Sequence, residues 1–321
     1  MTPPPPRPAA PATGTARGRA HAPDGRPDRE TLRTLPVRHL GIADLSACSD
    51  LGESRGWGRE EHKWRLLLTA GQGYGIEAPD VPGALLGTVV LTPYAATGPG
   101  AGHCCVSMVL VAERCARQGL GRRLMEHALA ETGDAVPFLS ATDAGRPLYE
   151  QLGFTAAGSV AMVTGRFRVP DAAPASPVPV RPATAADLPA VRALDAPVFG
   201  ADRTGLLARL PAFAGRFVVA ATAYGTLTGF AASWPNGHNT VIGPVVAEDL
   251  PTAQALITDL GLHIPGEIRV DVDARHPALA AWLRAHGVAQ EQGVCTLMAR
   301  SAAGIPGDAS RRFAPYSAAL G

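Results

Sequence analysis

The stretch that decides the fold is Val109-Leu110-Val111 followed, after a short gap, by Arg117-Gln118-Gly119-Leu120-Gly121-Arg122-Arg123-Leu124-Met125. The first three residues predict a buried strand, and the residues from Leu120 onward predict a helix, so the chain turns between them through a pair of glycines. Glycine lets the backbone come close to a ligand, and the free N–H groups of a first helical turn point at any anion that lies there. The pattern indicates an anion-binding turn, although similar turns also occur for packing reasons alone.

A second motif, Arg146-Pro147-Leu148-Tyr149-Glu150-Gln151-Leu152-Gly153-Phe154, follows about thirty residues further along the chain. Its apolar and aromatic residues predict a short helix that ends at Gly153, since glycine commonly follows the last helical residue. An apolar strand is expected to come next. Two motifs in this order and at this separation are far more specific than the glycine pair alone.

Together these motifs resemble the GNAT superfamily of acyl-CoA-dependent N-acyltransferases, whose loop reads Gln/Arg-x-x-Gly-x-Gly/Ala and whose later helix carries Leu-Tyr-x-x-x-Gly-Phe. Ala116 stands where the family usually has Gln or Arg. Because the loop binds pyrophosphate through main-chain N–H groups, we expect this departure to weaken cofactor binding without abolishing it. The resemblance implies acetyl-CoA as the acyl donor, no metal, and contacts to the donor from Val109, Leu110, Val111, Arg117, Gln118, Gly119, Leu120, Gly121 and Arg122.

The resemblance also implies catalytic roles, because an amine that attacks a thioester needs a proton donor for the departing thiolate. The Tyr of the second motif is the family's usual donor, which assigns that role to Tyr149; its alternative is a core aromatic. The family's occasional Glu base falls at Cys105, which is no carboxylate. His103, on the same strand face, is the best titrating candidate for the base, although it is also typical of an exposed strand end. Glu113 or a water chain would be further alternatives.

Acceptor contacts are expected from the turn Arg55-Gly56-Trp57-Gly58, which lies between two predicted helices where GNAT proteins form an acceptor wall. Trp57 is the candidate there, unless it is only a hydrophobic cap. The matching position later in the chain holds Asp202 and Arg203, which we include as candidate substrate-binding residues. Asp271 and Asp273 lie on one face of a predicted strand, where a carboxylate pair either attracts an amine or faces solvent.

Length and an internal repeat predict two domains, because 321 residues exceed what one core usually serves. The segment Val180 to Leu188 echoes Val37 to Leu45, with Val-Arg opening a strand and Asp-Leu six residues after that Arg. The repeat lacks the glycine pair and the Tyr. We therefore expect an α/β fold with two tandem GNAT-like domains, each a mostly antiparallel sheet flanked by helices, the second without a cofactor site.

The expected boundaries follow from composition. They are a disordered Pro/Ala/Arg-rich tail at 1–34, an acyl-CoA-binding domain at 35–168, a proline-rich linker at 169–179, a degenerate domain covering the substrate at 180–300, and a flexible tail at 301–321.

Charge and cysteine content narrow the class of protein. With 29 basic and 28 acidic residues, the chain has no broad basic footprint for nucleic acid. Its five cysteines form no Cys-x-x-Cys pair, and no apolar run is long enough for a bilayer, so we expect a cytoplasmic protein without a metal site or membrane contact. The oligomeric state stays open.

These observations favour an N-acetyltransferase that acts on a primary amine of a small molecule. Two alternatives stay open: a non-catalytic acyl-CoA-binding or sensing protein, and a protein N-acetyltransferase. A second domain over the cleft argues against a bulky acceptor.

Overall fold

The computed structural model describes residues 29–98, 101–169, 178–301, 304–305 and 307–321. Most of the expected N-terminal tail and of the proline-rich linker lies outside the described residues. The helices are α1 Arg29–Thr34, α2 Leu45–Ser54, α3 Glu61–Ala70, α4 Leu120–Glu131, α5 Arg146–Gln151, α6 Leu188–Phe199, α7 Thr204–Leu207, α8 Leu210–Phe213, α9 Leu250–Leu262 and α10 Pro277–Ala285. The strands are β1 Arg38–Leu40, β2 Gln72–Glu77, β3 Leu85–Tyr94, β4 His103–Val111, β5 Val136–Ala141, β6 Thr155–Gly165, β7 Val180–Pro182, β8 Arg216–Ala221, β9 Leu227–Asn236, β10 Asn239–Ala247, β11 Ile268–Asp273, β12 Val288–Ala299 and β13 Arg312–Ala314.

The fold is a mixed α/β structure with a mostly antiparallel sheet, as the sequence predicts. Strands follow one another in the order β1-β2-β3-β4-β5-β12-β6-β11-β10-β9-β8-β7, with β13 added beside β10. Among the described residues, β4 with β5 and β10 with β11 are the two parallel pairs. Helix α4 packs on β3 and β4, and α9 packs in the corresponding place on β9 and β10. The two halves of the chain therefore repeat one arrangement.

Strand β6 of the first half and strand β12 of the second each pair with strands of the other half. Strand β6 lies between β11 and β12, with Val163 opposite Val270 on one side and Glu291 on the other. Strand β12 in turn pairs with β5, where Leu297 lies opposite Ser140. The linker expected at residues 169–179 therefore separates the halves along the sequence but not within the sheet, because each half is completed by a strand of the other.

The exchanged strands begin earlier than the sequence predicts. The apolar pattern of the sequence predicts these two strands from near Val160 and from near Cys295, whereas they begin at Thr155 and Val288. Register shifts interrupt the β6–β12 ladder at several points, and the first part of β12 is largely exposed. An apolar alternation is absent from such residues, so the sequence pattern does not mark them as strand.

Part of the expected disordered tail is folded. Residues 29–34 form α1, and Leu32 is only 2% exposed. The Arg123 side chain donates to the Leu32 carbonyl oxygen at 2.7 Å and also to that of Leu35. The expectation of disorder is wrong for these residues, because one leucine and a distant arginine are enough to hold this helix.

The described residues of the expected C-terminal flexible tail are also folded. Strand β13 pairs antiparallel with β10, and Phe313, Tyr316 and Leu320 are buried. The Tyr94 hydroxyl donates to the Leu320 carbonyl oxygen at 2.7 Å. The prediction of a flexible tail is therefore wrong for segment 307–321. Most of the segment consists of small or polar residues, so the sequence pattern does not reveal the three large apolar side chains that anchor it.

Segment 307–321 fills a gap between strands in the second half, whereas the corresponding gap in the first half stays open. The parallel pairs β4–β5 and β10–β11 each last only three residues before the strands separate. In the second half β13 occupies the space beside β10, and a Cβ placed on Gly243 would lie 2.4 Å from the Pro315 carbonyl oxygen. The position that corresponds to the first half's opening is thus occupied by the chain itself.

No helix within the described ranges is both long and apolar enough to cross a membrane.

Gly165 lies where the two halves cross, and it supplies a test of the strand exchange. It pairs with both Ile268 and Val288, and a Cβ on it would come within 2.1 Å of the Gly287 carbonyl oxygen. We expect Gly165→Ala to lower the free energy of unfolding by about 1–3 kcal/mol, measured by urea denaturation. Gly41→Ala is the matched control, since nothing lies within 4 Å of its Cβ position. Equal stability of the two variants would contradict so close a crossing.

Candidate active site

A cleft of about 710 Å³ opens where β4 leaves β5. Strand β4 carries a bulge, because Thr88 pairs with Leu110 and Val90 with Ser107, and Met108 has a φ of 50°. After Cys105 the edge of β4 that faced β5 borders the cleft. Backbone groups on an open strand edge seek hydrogen bonds, so this edge suits a ligand that carries amides.

The glycine turn forms one wall of the cleft. Gly119 is the N-cap of α4 with a φ of 90°, which glycine adopts without strain, and Arg117 has a φ of 59°. The first-turn N–H groups of α4 have no partners within the helix, and the helix dipole makes them favourable for an anion. Arg117, Gly119, Gly121 and Arg122 all line the cleft. The residues present fit a ligand with a pyrophosphate.

Most of the predicted donor-binding residues border the cleft. Val109, Leu110 and Val111 line it together with the turn residues, and so does Ala116. Leu120 does not, because its side chain is 2% exposed and packs in the core. Gln118 does not line it either: its Nε2 donates to the Arg114 carbonyl oxygen at 3.1 Å.

Tyr149 lines the same cleft from α5. The residue is 8% exposed, and its ring meets the Phe154 ring edge-on with centroids 6.2 Å apart. Burial raises the pKa of Tyr149 to about 12, so the hydroxyl keeps its proton at neutral pH. A buried, protonated hydroxyl at the cleft wall can donate a proton or a hydrogen bond.

His103 lies at the opposite end of β4 and lines neither cavity described here. Met108, at the bulge, lies five positions further along the strand, a distance of about 17 Å. The structure places His103 outside the cleft that Tyr149 lines, so its predicted role as the base is not supported. Cys105 faces elsewhere as well, because its Sγ donates to the Ala319 carbonyl oxygen at 3.5 Å.

A second cavity of about 360 Å³, which we call the acceptor cavity, adjoins the cleft. Strands of both halves and segment 307–321 contribute to its walls. Trp57 stands between the two spaces and is 41% exposed, in keeping with the expected acceptor wall. The residues that line both spaces are Trp57, Val106, Ser107, Met108, Ser140 and Thr142.

The predicted contacts of Asp202 and Arg203 with substrate are not supported. Arg203 is 2% exposed, and its Nε donates to Asp195 Oδ2 at 3.0 Å. Asp202 accepts from the Thr204 N–H at 2.7 Å, and its own N–H donates to the Ala95 carbonyl oxygen. Neither side chain lines the cleft or the acceptor cavity. Both residues make hydrogen bonds within the protein. Their position, which matches that of the Trp57 turn in the first half, was not a sufficient reason to expect substrate contacts.

The aspartate pair of β11 has two separate roles. Asp271 lines the acceptor cavity and pairs with Arg269, whereas Asp273 pairs with Arg275. Several polar residues that share the cavity with Asp271 were not predicted from the sequence. They are Glu60, Lys63, Asn236, Arg269 and Gln292. A signal was present for Arg269, because it lies on the same face of β11 as Asp271 and Asp273, where a cation can pair with a carboxylate.

No group of three or more His, Cys, Asp or Glu residues that could hold a metal ion occurs in the part of the chain that the structure describes.

Comparison with known proteins relates both halves to acyl transfer. Residues 72–156 and 191–314 each match a family model described as an acetyltransferase (GNAT) domain. The chain is 27% identical over 220 residues to the uncharacterized N-acetyltransferase YitH of Bacillus subtilis, a match that covers 68% of this chain and 75% of the relative.

Solved structures share the fold over nearly the whole chain. A putative acetyltransferase from Pyrococcus horikoshii superposes with a TM-score of 0.71 at 15% identity, over 89% of this chain and 96% of that one. A tandem GNAT protein from the clavulanic acid biosynthesis pathway superposes with a TM-score of 0.56 at 16% identity, over 83% and 97%.

Proposed function

The chain belongs to the GNAT acetyltransferases and carries two such domains in tandem, and we propose that its first half transfers an acetyl group from acetyl-CoA to a primary amine of a small molecule. One observation carries the proposal: the cleft that combines the glycine turn with Tyr149 opens into a separate cavity of about 360 Å³. A donor and an acceptor can thus meet at the residues lining both spaces. This arrangement supports direct transfer in a ternary complex.

Acetyl-CoA would be held by the chain's backbone more than by its side chains. The first-turn N–H groups of α4, beside Gly119 and Gly121, suit the pyrophosphate, with Arg117 and Arg122 adding positive charge. The open edge of β4 from Val109 to Val111 suits the amides and the thioester carbonyl. Ala116 offers no side-chain hydrogen bond, but the backbone contacts do not need one.

The reaction forms a C–N bond and breaks a C–S bond. The neutral amine attacks the thioester carbon, a tetrahedral oxyanion forms and collapses, and the CoA thiolate takes the Tyr149 hydroxyl proton. The attacking amine gives up its proton to solvent water. Tyr149 regains its proton from solvent before the next turnover.

The second half is proposed to shape the acceptor site without binding a donor. Its helix α9 begins after Glu248 and Asp249, whose charges would repel a pyrophosphate. Strand β13 fills the adjoining gap beside β10. This half contributes Trp234, Asn236 and Arg269 to the acceptor cavity instead.

Calorimetric titration of acetyl-CoA into the purified protein tests the donor site. We expect one site per chain, followed by release of CoA thiol when a suitable amine is added. Two sites would contradict the filled gap of the second half. Binding without thiol release from any of a broad panel of amines would favour the acyl-CoA-binding alternative, and absence of binding would end the proposal.

A glycine variant sharpens this titration. A Cβ on Gly121 would be 3.4 Å from Leu148 Cδ2 and 3.6 Å from Val111 Cγ2, so Gly121→Ala is compatible with the fold and narrows the cleft at the first turn of α4. We expect about 10- to 100-fold weaker acetyl-CoA binding, the loss of one or two charge-assisted hydrogen bonds. The same change at Gly266, which has open space and does not border the cleft, is the control.

A further inference from the structure

We propose that the acceptor is an amino acid, a molecule that carries a carboxylate as well as its amine and has no net charge. This inference rests on the proposed function, because it names the substrate class of the same site. It depends on two buried carboxylates, their two partly buried cations and two buried oxygen atoms, which line the acceptor cavity and which acetyl transfer by itself does not require.

The charges form two ion pairs of opposite polarity in one small space. Glu60 and Lys63 pair along α3, and Arg269 donates from Nε and Nη2 to Asp271 at 2.7 and 3.0 Å. All four side chains border the acceptor cavity and none borders the donor cleft. They therefore belong to the acceptor cavity alone, with a net charge of zero.

These charges are held at a cost that a ligand would offset. Burial lowers the pKa of Lys63, and the Glu60 carboxylate opposes that shift. Buried ion pairs often contribute little net stability, because desolvation cancels most of their attraction. Arg269 uses Nε and Nη2 for Asp271, and within the described ranges no acceptor is bound to its Nη1. A ligand carboxylate would meet that group and the Lys63 ammonium.

Two uncharged side chains of the acceptor cavity also have an oxygen atom without a hydrogen-bond partner among the described residues. Asn236 Oδ1 and Ser107 Oγ are buried, make no hydrogen bond with any described residue, and belong to residues 8% and 7% exposed. Both residues line the acceptor cavity, and Ser107 lines the donor cleft as well. Since a buried polar atom without a partner is destabilising, these oxygens suit the N–H groups of a bound amine.

The balance of charge selects a zwitterion over other amines. A polyamine would bring two or more positive charges beside Lys63 and Arg269, and a phosphorylated amine would bring two negative charges beside Glu60 and Asp271. An amino acid adds one charge of each sign, so each finds its opposite. The volume of about 360 Å³ is at the small end for ligand sites, which suits a single amino acid.

Matched substrates test the inference through release of CoA thiol. The probes are the twenty standard amino acids, their carboxamides and the corresponding decarboxylated amines. We expect at least one amino acid to react, with its carboxamide and decarboxylated amine about 10- to 100-fold lower in kcat/KM through a higher KM. Equal rates for the three classes would overturn the inference and leave the acetyltransferase proposal intact.

A variant of Lys63 assigns the carboxylate contact. Lys63→Met is expected to lower kcat/KM about 10-fold or more for the amino acid and little for its carboxamide, while Lys63→Arg retains most of the preference. The double change Glu60→Gln with Lys63→Met removes the whole pair, and it serves if the single variant folds poorly. Arg284→Met, on the exposed side of α10, is the control. An equal loss for acid and carboxamide would mean that the pair is only structural.

Binding separates the inference from the proposed function. Trp57 and Trp234 both line the acceptor cavity, so their fluorescence should change when an amino acid binds in the presence of CoA. A saturable change that requires the carboxylate, without thiol release from any amine, would support the amino acid site and sink the transferase. If no amino acid gave either a fluorescence change or turnover, the inference would be overturned.

Discussion

Tyr149→Phe is expected to lower kcat for acetyl transfer by about 100- to 10,000-fold, the range typical for loss of a general acid. The change removes one oxygen from a side chain that is 8% exposed and lines the donor cleft. Because the ring and its packing on Phe154 remain, the Kd for acetyl-CoA should change little. Steady-state kinetics by thiol release, with calorimetry for the Kd, measure both.

The pH profile adds a second readout for Tyr149. Its pKa is raised to about 12, so the hydroxyl is protonated throughout the range from pH 7 to 10. The wild-type kcat should therefore not fall over that range through loss of this proton. Tyr224→Phe is the matched control, since Tyr224 is 98% exposed. If Tyr149→Phe retained the wild-type kcat, Tyr149 would be a packing residue and the thiolate would be protonated by another group.

The second large effect is on stability. Arg203 and Asp195 form an ion pair with side chains 1% exposed, and the Arg203 guanidinium also lies 4.0 Å from the centre of the Phe199 ring. Arg203→Met leaves the Asp195 carboxylate buried without its cation. We expect the free energy of unfolding to fall by about 3–5 kcal/mol, measured by urea denaturation.

A double variant separates the pair from its separate charges. Replacing Arg203 by Met and Asp195 by Leu together should recover most of the lost stability, because no unpaired charge remains. Arg181→Met is the control, since its pair with Asp187 is half exposed on the arginine side and such pairs contribute about 0–1 kcal/mol. A KM for the acceptor that rose in Arg203→Met without loss of stability would restore Arg203 as a substrate contact.

Local patterns predicted the donor side of the site well. The turn at Gly119 and Gly121 and the helix that carries Tyr149 depend on residues close in sequence, and their spacing is enough to place them. For the same reason the sequence pattern predicts strands over residues 103–111 and 136–141, and β4 and β5 begin and end there. What a short stretch of chain determines by itself can be inferred from that stretch.

The acceptor side could not be predicted in this way. Lys63, Asn236 and Arg269 come from three distant parts of the chain, and only the folded sheet brings them to one cavity. His103 was misassigned because the bulge at Met108 moves the site to the other end of β4. The pairing of β6 with β11 and β12 could not be predicted from a local pattern either, because an apolar strand can pair with several different strands.

The strand exchange has a consequence for the protein while it is being synthesised. When the ribosome has completed β6, that strand's partners β11 and β12 are still more than a hundred residues away. The first half then has a donor turn and a tyrosine but an unpaired strand edge at β5, a surface prone to association with other chains. The two halves therefore cannot complete their folding one after the other. Many native contacts form late and between residues far apart in sequence, which slows folding. Nascent chains stalled before β12 should need a chaperone.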